Sequence, residues 1–373
     1  MNRREAGAPP PVSVFESRPQ RVVTGVGAAS RLAAEVAQLD CERVFLVTGR
    51  HDVGLAERLA EDVDVVAVFS DVRPHVPVEV ARAATDLARS SGADVLVAVG
   101  GGSTVGTAKA VALTERLPIL AVPTTYAGSE ATDVWGLTDQ DGKSNGTDPV
   151  VLPRTVIYDP ELTVSLPRSL TTASGLNAVA HCVDSLWGPT RSPVSTALAT
   201  EGIRQLAAGL VVVVGDGRDL VAREQCQAGT YLAAAAFAAA GSGMHHKICH
   251  VLGGAYDLEH AALHAALLPH VLGFNAPAAP EAATRIAAAL QAAGHGDGSD
   301  ALAALGSVYD AIGAPRSLGA LGLRADQLDE AAALALERIP PSNPRPVSLK
   351  DLVQLLRRAQ SGARPMLVTL GGE

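Results

Sequence analysis

Histidine titrates closest to neutrality among side chains, so a histidine cluster points first to proton transfer or metal ligation. The chain carries ten histidines, and seven of them fall between His181 and His270. Five, namely His245, His246, His250, His260 and His264, lie within twenty positions. On a helix His246 and His250 are four apart and share a face, as do Asn177 and His181 on an earlier helix. Imidazoles so paired and facing a second helix can hold a divalent cation or do general acid–base work. The plain alternative is a set of core or surface rings satisfied by hydrogen bonds, and His264 and His270, taken singly, fit that alternative.

A second group suits a phosphate. The apolar run Asp94–Val99 passes directly into Gly100, Gly101, Gly102 and Ser103, and then into a helical stretch through Lys109. A strand ending in glycines before a helix N-terminus lets backbone N–H groups approach an anion that the helix dipole favours, and Ser103 can cap that helix or donate its hydroxyl. A tight turn without ligand is the plain alternative, and the pattern is not GxGxxG. The segment Pro123–Glu130 follows the next apolar run and brings Thr124, Thr125, Tyr126 and Ser129 to the same edge. In open α/β sheets that carboxyl edge is where ligands bind.

The elements that must hold these groups can be read from periodicity. Short β-branched runs at Arg43–Thr48, Val63–Phe69, Asp94–Val99, Pro118–Pro123 and Thr155–Tyr158 alternate with amphipathic stretches such as Val78–Ser90, which predicts a parallel sheet wrapped by helices. After about residue 165 alanine- and leucine-rich stretches take over, at Ser169–Leu186, Ser195–Gly209, Leu220–Gly241 and Ala279–Ala293, and predict a helical second half. The prolines at 160 and 167 mark the change, dividing the chain into domains 1–162 and 163–373.

With 373 residues, 47% of them hydrophobic, each domain can bury its own core. The net charge of −9 is dispersed and includes no basic block, so nucleic acid is not expected as a partner. The N-terminal MNRREAGAPPP lacks the apolar core of a secretory signal and reads as a tail. Thr230–Ala240 is too short for a membrane span and reads as a buried helix. Cys41, Cys182, Cys226 and Cys249 are far apart, which suggests neither a disulfide framework nor a zinc knuckle and fits a reducing, cytoplasmic location.

The glycine–serine run with Lys109, the Pro123–Glu130 segment, Leu176–His181 and His246-x-x-x-His250 with His260 beyond it together resemble the iron-containing alcohol dehydrogenase superfamily. The likeness runs from Val22–Gly27 to Asn343–Pro346. Gly106 and Asn177 stand where metal-dependent members carry acidic residues, and Trp135–Thr138, Val151–Pro160 and His245–His250 are similar to the maleylacetate reductase branch.

The resemblance implies an N-terminal Rossmann-like domain and a C-terminal helical domain, a dehydroquinate synthase-like fold, with NADH or NADPH and a small-molecule substrate in the cleft between them. It also implies a homodimer. By position Asn177, His181, His246 and His260 match the metal ligands of relatives; losing the only carboxylate predicts no metal. His250, His246, His181 and Tyr126 are then the catalytic candidates. Gly100, Gly101, Gly102, Ser103, Thr124, Thr125, Ser129 and Lys109 are the cofactor candidates. Asn177, His245, Lys247, His260 and Arg345 are candidates for substrate, with Lys143 as a further cation.

The implied reaction reduces maleylacetate to 3-oxoadipate in the degradation of aromatic compounds, with histidine stabilising the enolate. Thr147–Val150 and the Ala262–Leu263 pair depart from that branch and imply weaker dicarboxylate recognition. Three other readings remain open. They are a reductase of another ketone or enone in a biosynthetic pathway, a cofactor-binding protein without chemistry, and a metal-dependent alcohol dehydrogenase. Arg50, after the first predicted strand, leaves NADH against NADPH open.

Overall fold

The computed structural model describes residues 13–139 and 142–369, the Lys143 side chain excepted. The expectations for the 1–12 tail and for the Lys143 ammonium therefore lie outside the described residues. Six strands, β1 (Arg21–Thr24), β2 (Arg43–Thr48), β3 (Asp64–Phe69), β4 (Val95–Gly100), β5 (Ile119–Pro123) and β8 (Thr155–Tyr158), form a sheet in the order β1-β8-β5-β4-β2-β3. Every pairing is parallel. Strand β4 is buried throughout because helices cover both faces. Leu96 and Ala98 enter one core and Val95, Val97 and Val99 the other, so an unbroken apolar run replaces alternation.

Helices α1 (Leu32–Ala37), α2 (Val53–Leu59), α3 (Val78–Ser91) and α4 (Gly102–Glu115) belong to this layered half. The chain steps outward from β2 to β3 and then crosses back to β4. The reversal puts the loops after β2 and β4 on either side of the crevice where such sheets bind ligands.

The two remaining strands, β6 (Val134–Asp139) and β7 (Gly142–Thr147), make an antiparallel hairpin. Neither β1 nor this hairpin is predicted by periodicity. Strand β1 is a four-residue edge strand, and β7 reads GKSNGT, without an apolar face.

The expected division at 162/163 falls in a short 3-10 turn, Pro160–Thr163, after which every element is helical. These helices are α5 (Arg168–Ser185), α6 (Pro193–Gly215), α7 (Leu220–Ala240), α8 (Met244–Tyr256), α9 (His260–Asn275), α10 (Pro280–Ala292), α11 (Ala301–Ile312), α12 (Leu328–Leu336) and α13 (Leu349–Ser361). Helix α6, not Thr230–Ala240, has the length and composition to cross a membrane. Its Ala199, Ile203, Leu206 and Leu210 are fully buried against α5 and α7, which is the position of a core helix.

Candidate active site

Two loops meet at the carboxyl edge of the sheet. Gly100 has φ +151°, and a Cβ there would come within 2.5 Å of Thr104 Oγ1. A Cβ at Gly101 would meet Thr125 at 2.9 Å, while Thr124 N donates to Gly100 O at 3.1 Å. The glycines thus let the 100–103 and 124–129 loops close on each other and leave the start of α4 open. Gly101 is the N-cap, and no side chain caps this end. Ser103 lies inside the first turn, so the expectation that it caps the helix is corrected.

Lys109 also departs from expectation. Its ammonium is buried and donates to Ser129 O, Thr132 O, Thr132 Oγ1 and Val134 O at 2.7–3.0 Å. Burial pulls its pKa down to about 7 against the pull of Glu130 and Asp133. A helix lysine near glycines looks like a phosphate ligand, but here it ties the 129–134 backbone together and has no free donor for a cofactor. Lys109→Met leaves those carbonyl oxygens bare, and we expect a stability loss of about 3 kcal/mol or more in urea titrations. An unchanged midpoint would contradict this role.

The imidazoles come together where α5, α8 and α9 meet. His181 stacks on His246 with centroids 4.8 Å apart, and His246 lies 4.6 Å from His264. His250 stacks on His260 at 6.2 Å, and His260 is 4.4 Å from His264. His245, expected to touch substrate, is fully buried, with Nε2 3.1 Å from His264 Nδ1. Its place is behind the cluster, and His264, given the plain reading in the sequence, stands at its centre. The spacing signal was present, since His260 and His264 are also four apart.

Sequence reasoning missed Asp184. Its carboxylate is fully buried and accepts from His246 Nδ1 at 2.8 Å, from the Gly243 and His246 backbone N–H groups at 3.1 Å, and from Trp187 Nε1 at 3.1 Å. Lying across the N-terminus of α8, it acts as a cap supplied from α5, and the helix dipole compensates its charge. A carboxylate only accepts, so His246 Nδ1 carries the proton and Nε2 is left as a bare lone pair. His181 is three residues from Asp184, the one trace of this arrangement in the sequence.

Several polar atoms in the cluster are buried and unpartnered: Asn177 Oδ1, His181 Nδ1, His246 Nε2 and His264 Nε2. Burial holds His181 and His245 down to about 4 against the pull of Asp184, and with help from neighbouring imidazoles holds His246 and His264 well below the usual imidazole range. These four rings are neutral at neutral pH, which corrects any expectation of a standing imidazolium among them. His270, outside the cluster, is also lowered to about 4 by burial and Arg358.

A free imidazole titrates at about 6.5, so between about pH 6.5 and 4 the unfolded chain takes up protons the folded chain refuses. Stability must fall as pH falls through that window. Denaturation midpoints at about pH 7.5 and 5 check it, and equal midpoints would contradict the desolvation.

Two other expectations are redirected. Tyr126 is fully buried; its hydroxyl accepts from Arg223 Nη1 at 3.1 Å and lies 3.4 Å from Thr163 Oγ1, so it serves the helical core and not the imidazole site. Arg345 lays its guanidinium over Phe274 at 4.4 Å and donates to Val368 O at 3.0 Å, pinning the C-terminal segment rather than offering a substrate contact. Lys247 is half-buried on α8, next to His246.

A metal ion needs convergent lone pairs and usually a compensating anion. His245, His246 and His264 hold ligand atoms within 4.8 Å of one another, so neutral nitrogens are on offer. The anion is missing. Asp184 has committed its oxygens to four N–H donors, and Asn177 brings an amide to the position where a carboxylate is wanted. The residues therefore fit a charge-compensated divalent site poorly. The glycine cradle, by contrast, fits a nucleotide diphosphate.

The sequence and fold match what is known of one family across both halves. Residues 19–160 match the iron-containing alcohol dehydrogenase model, and residues 171–360 match the C-terminal model of the same family. The chain belongs to the iron-containing alcohol dehydrogenase family and is an NAD(P)H-dependent oxidoreductase. Within it, the chain is 43% identical to maleylacetate reductase of Sphingobium indicum, over 95% of its own length and 99% of the relative's. It is 44% identical to that of Burkholderia cepacia, over 94% and 99%. The crystal structure of maleylacetate reductase from Agrobacterium tumefaciens superposes with a TM-score of 0.90 at 39% identity, covering 95% of this chain and 100% of that one. An iron-containing alcohol dehydrogenase from Corynebacterium glutamicum gives 0.91 at 46%, covering 94% and 98%.

Proposed function

We propose that this chain reduces maleylacetate to 3-oxoadipate with NADH or NADPH and without a metal ion. The observation that carries the reading is the buried set of neutral imidazoles with unpartnered nitrogens beside Asn177, in a site whose one buried carboxylate among the described residues, Asp184, is spent on N–H donors. The maleylacetate reductases at 43–44% identity support the substrate.

Gly100, Gly101, Gly102 and Ser103 would hold the pyrophosphate, with Thr124, Thr125 and Ser129 lining the second loop. Held there, a nicotinamide would supply hydride to the alkene carbon remote from the ketone. Charge then gathers on the ketone oxygen as an enolate. A ring N–H of His181 or His250 donates to that oxygen, and Asn177 orients the substrate beside it. His246 cannot donate from Nε2 while Asp184 holds its proton on Nδ1. Its bare Nε2, braced by the Asp184 carboxylate, instead relays a proton from solvent to the carbon next to the ketone. Hydride and proton together saturate the double bond.

The 163–373 half thus supplies the acid–base groups and the 1–162 half the cradle. Four unpaired cysteines support a reducing compartment, the cytoplasm, and the homodimer rests on the family resemblance.

The test is comparative turnover. Maleylacetate and monocarboxylic enones are each supplied with NADH and with NADPH, and cofactor absorbance is followed. Maleylacetate preferred by at least about tenfold in kcat/KM supports the reading. Preference for a monocarboxylic enone supports the other reductase, and tight NADH binding without turnover supports a protein that has lost chemistry.

A further inference from the structure

The imidazole cluster does not end at the helical half. His75 lies in the loop between β3 and α3, and its ring meets that of His260 edge-on at 6.5 Å between centroids. The loop is built to put it there. His75 and Val76 both have positive φ, +61° and +49°, and for a β-branched valine that is a costly conformation. The hairpin holds it in place. Thr138 Oγ1 donates to His75 O at 2.9 Å, and Thr138 N donates to Val76 O at 3.2 Å. Val76 is buried against α4, where a Cβ at Gly106 would come within 2.9 Å of its Cγ2. Glycine at 106 thus does more than omit an acid, because it admits the side chain that seats His75.

We infer that His75 is a substrate-contacting residue, which closes the histidine cluster from the nucleotide-binding half and donates a ring N–H to an anionic carboxylate oxygen of the substrate. Strain kept at two successive residues, and stabilised from a hairpin and a helix, is expected where a side chain must be aimed. The assignment rests on the maleylacetate reading for the identity of the anion.

Two variants test it. His75→Gly removes the ring while suiting the left-handed backbone, and His75→Asn tolerates that backbone and keeps a donor. We expect His75→Gly to raise the substrate KM by about 10- to 100-fold. NADH affinity, read by fluorescence, and the thermal midpoint should stay at parent values, and His75→Asn should recover part of the loss. A parent KM in both variants overturns the inference, as does a KM rise matched by lost NADH binding or lost stability. The parent is assayed first on maleylacetate and on monocarboxylic enones. If it reduces only an enone, the functional reading fails and the His75 contact is read on that enone; if it reduces neither, both fail.

Discussion

Removing both imidazoles of the α8 pair, His246→Ala with His250→Ala, is expected to lower kcat/KM for the reduction by about 10³- to 10⁴-fold while NADH affinity stays at the parent value. His246 is the ring whose tautomer is fixed by Asp184 and whose Nε2 has no partner, so it is the natural carrier of the proton. His250 sits one turn further along α8, 6.1 Å from His246 and stacked on His260, and the proposed mechanism gives it the developing enolate. Each single variant should cost about 10²- to 10³-fold, and the double less than the product, because the two act on one transition state. Steady-state kinetics with a fluorescence titration of NADH separates loss of chemistry from loss of cofactor. A double variant that works at the parent rate contradicts the assignment.

The second large effect concerns Asn177. Substituting Asn177→Asp supplies the anionic oxygen that the site lacks, beside His181 one turn along α5 and near His246. Zinc or iron affinity is expected to rise by about 100-fold or more. Metal content after exhaustive dialysis should go from substoichiometric in the parent to about one ion per chain. Reduction of the conjugated substrate should fall, since the cation occupies the lone pair that His246 uses to carry the proton. A variant that gains no affinity would mean that the imidazoles do not converge well enough for the carboxylate to matter.

Both predictions depend on residues that differ in how far the sequence announces them. The sheet was legible because strands buried on both faces read as unbroken apolar runs, as in β4 and β5. The glycine turn between β4 and α4 was legible because a run of glycines marks the point where a strand gives way to a helix. The hairpin β6–β7 was not, since a two-stranded element carrying Lys, Ser, Asn and Gly has no buried face to impose a period.

At the site, spacing along one helix revealed His246 with His250 and Asn177 with His181. It could not reveal Asp184, whose role depends on the N-terminus of α8 packing against the end of α5, nor His75, which arrives from over a hundred residues upstream of His181. Lys109, Tyr126 and Arg345 misled for a related reason. Their chemistry suggested ligands, but tertiary packing gave their donors and acceptors to the protein's own carbonyls and hydroxyls. His264 packs as the sequence suggests, fully buried with Nδ1 3.1 Å from His245 Nε2, and it does so inside the cluster.

The most direct measurement is NADH oxidation by purified protein with freshly prepared maleylacetate, run before and after exhaustive treatment with EDTA and paired with elemental analysis. Imidazole chemistry predicts the same rate in both samples and no stoichiometric transition metal. Activity that disappears with the chelator and returns on adding zinc or iron would mean that a cation, not a ring N–H, holds the enolate oxygen.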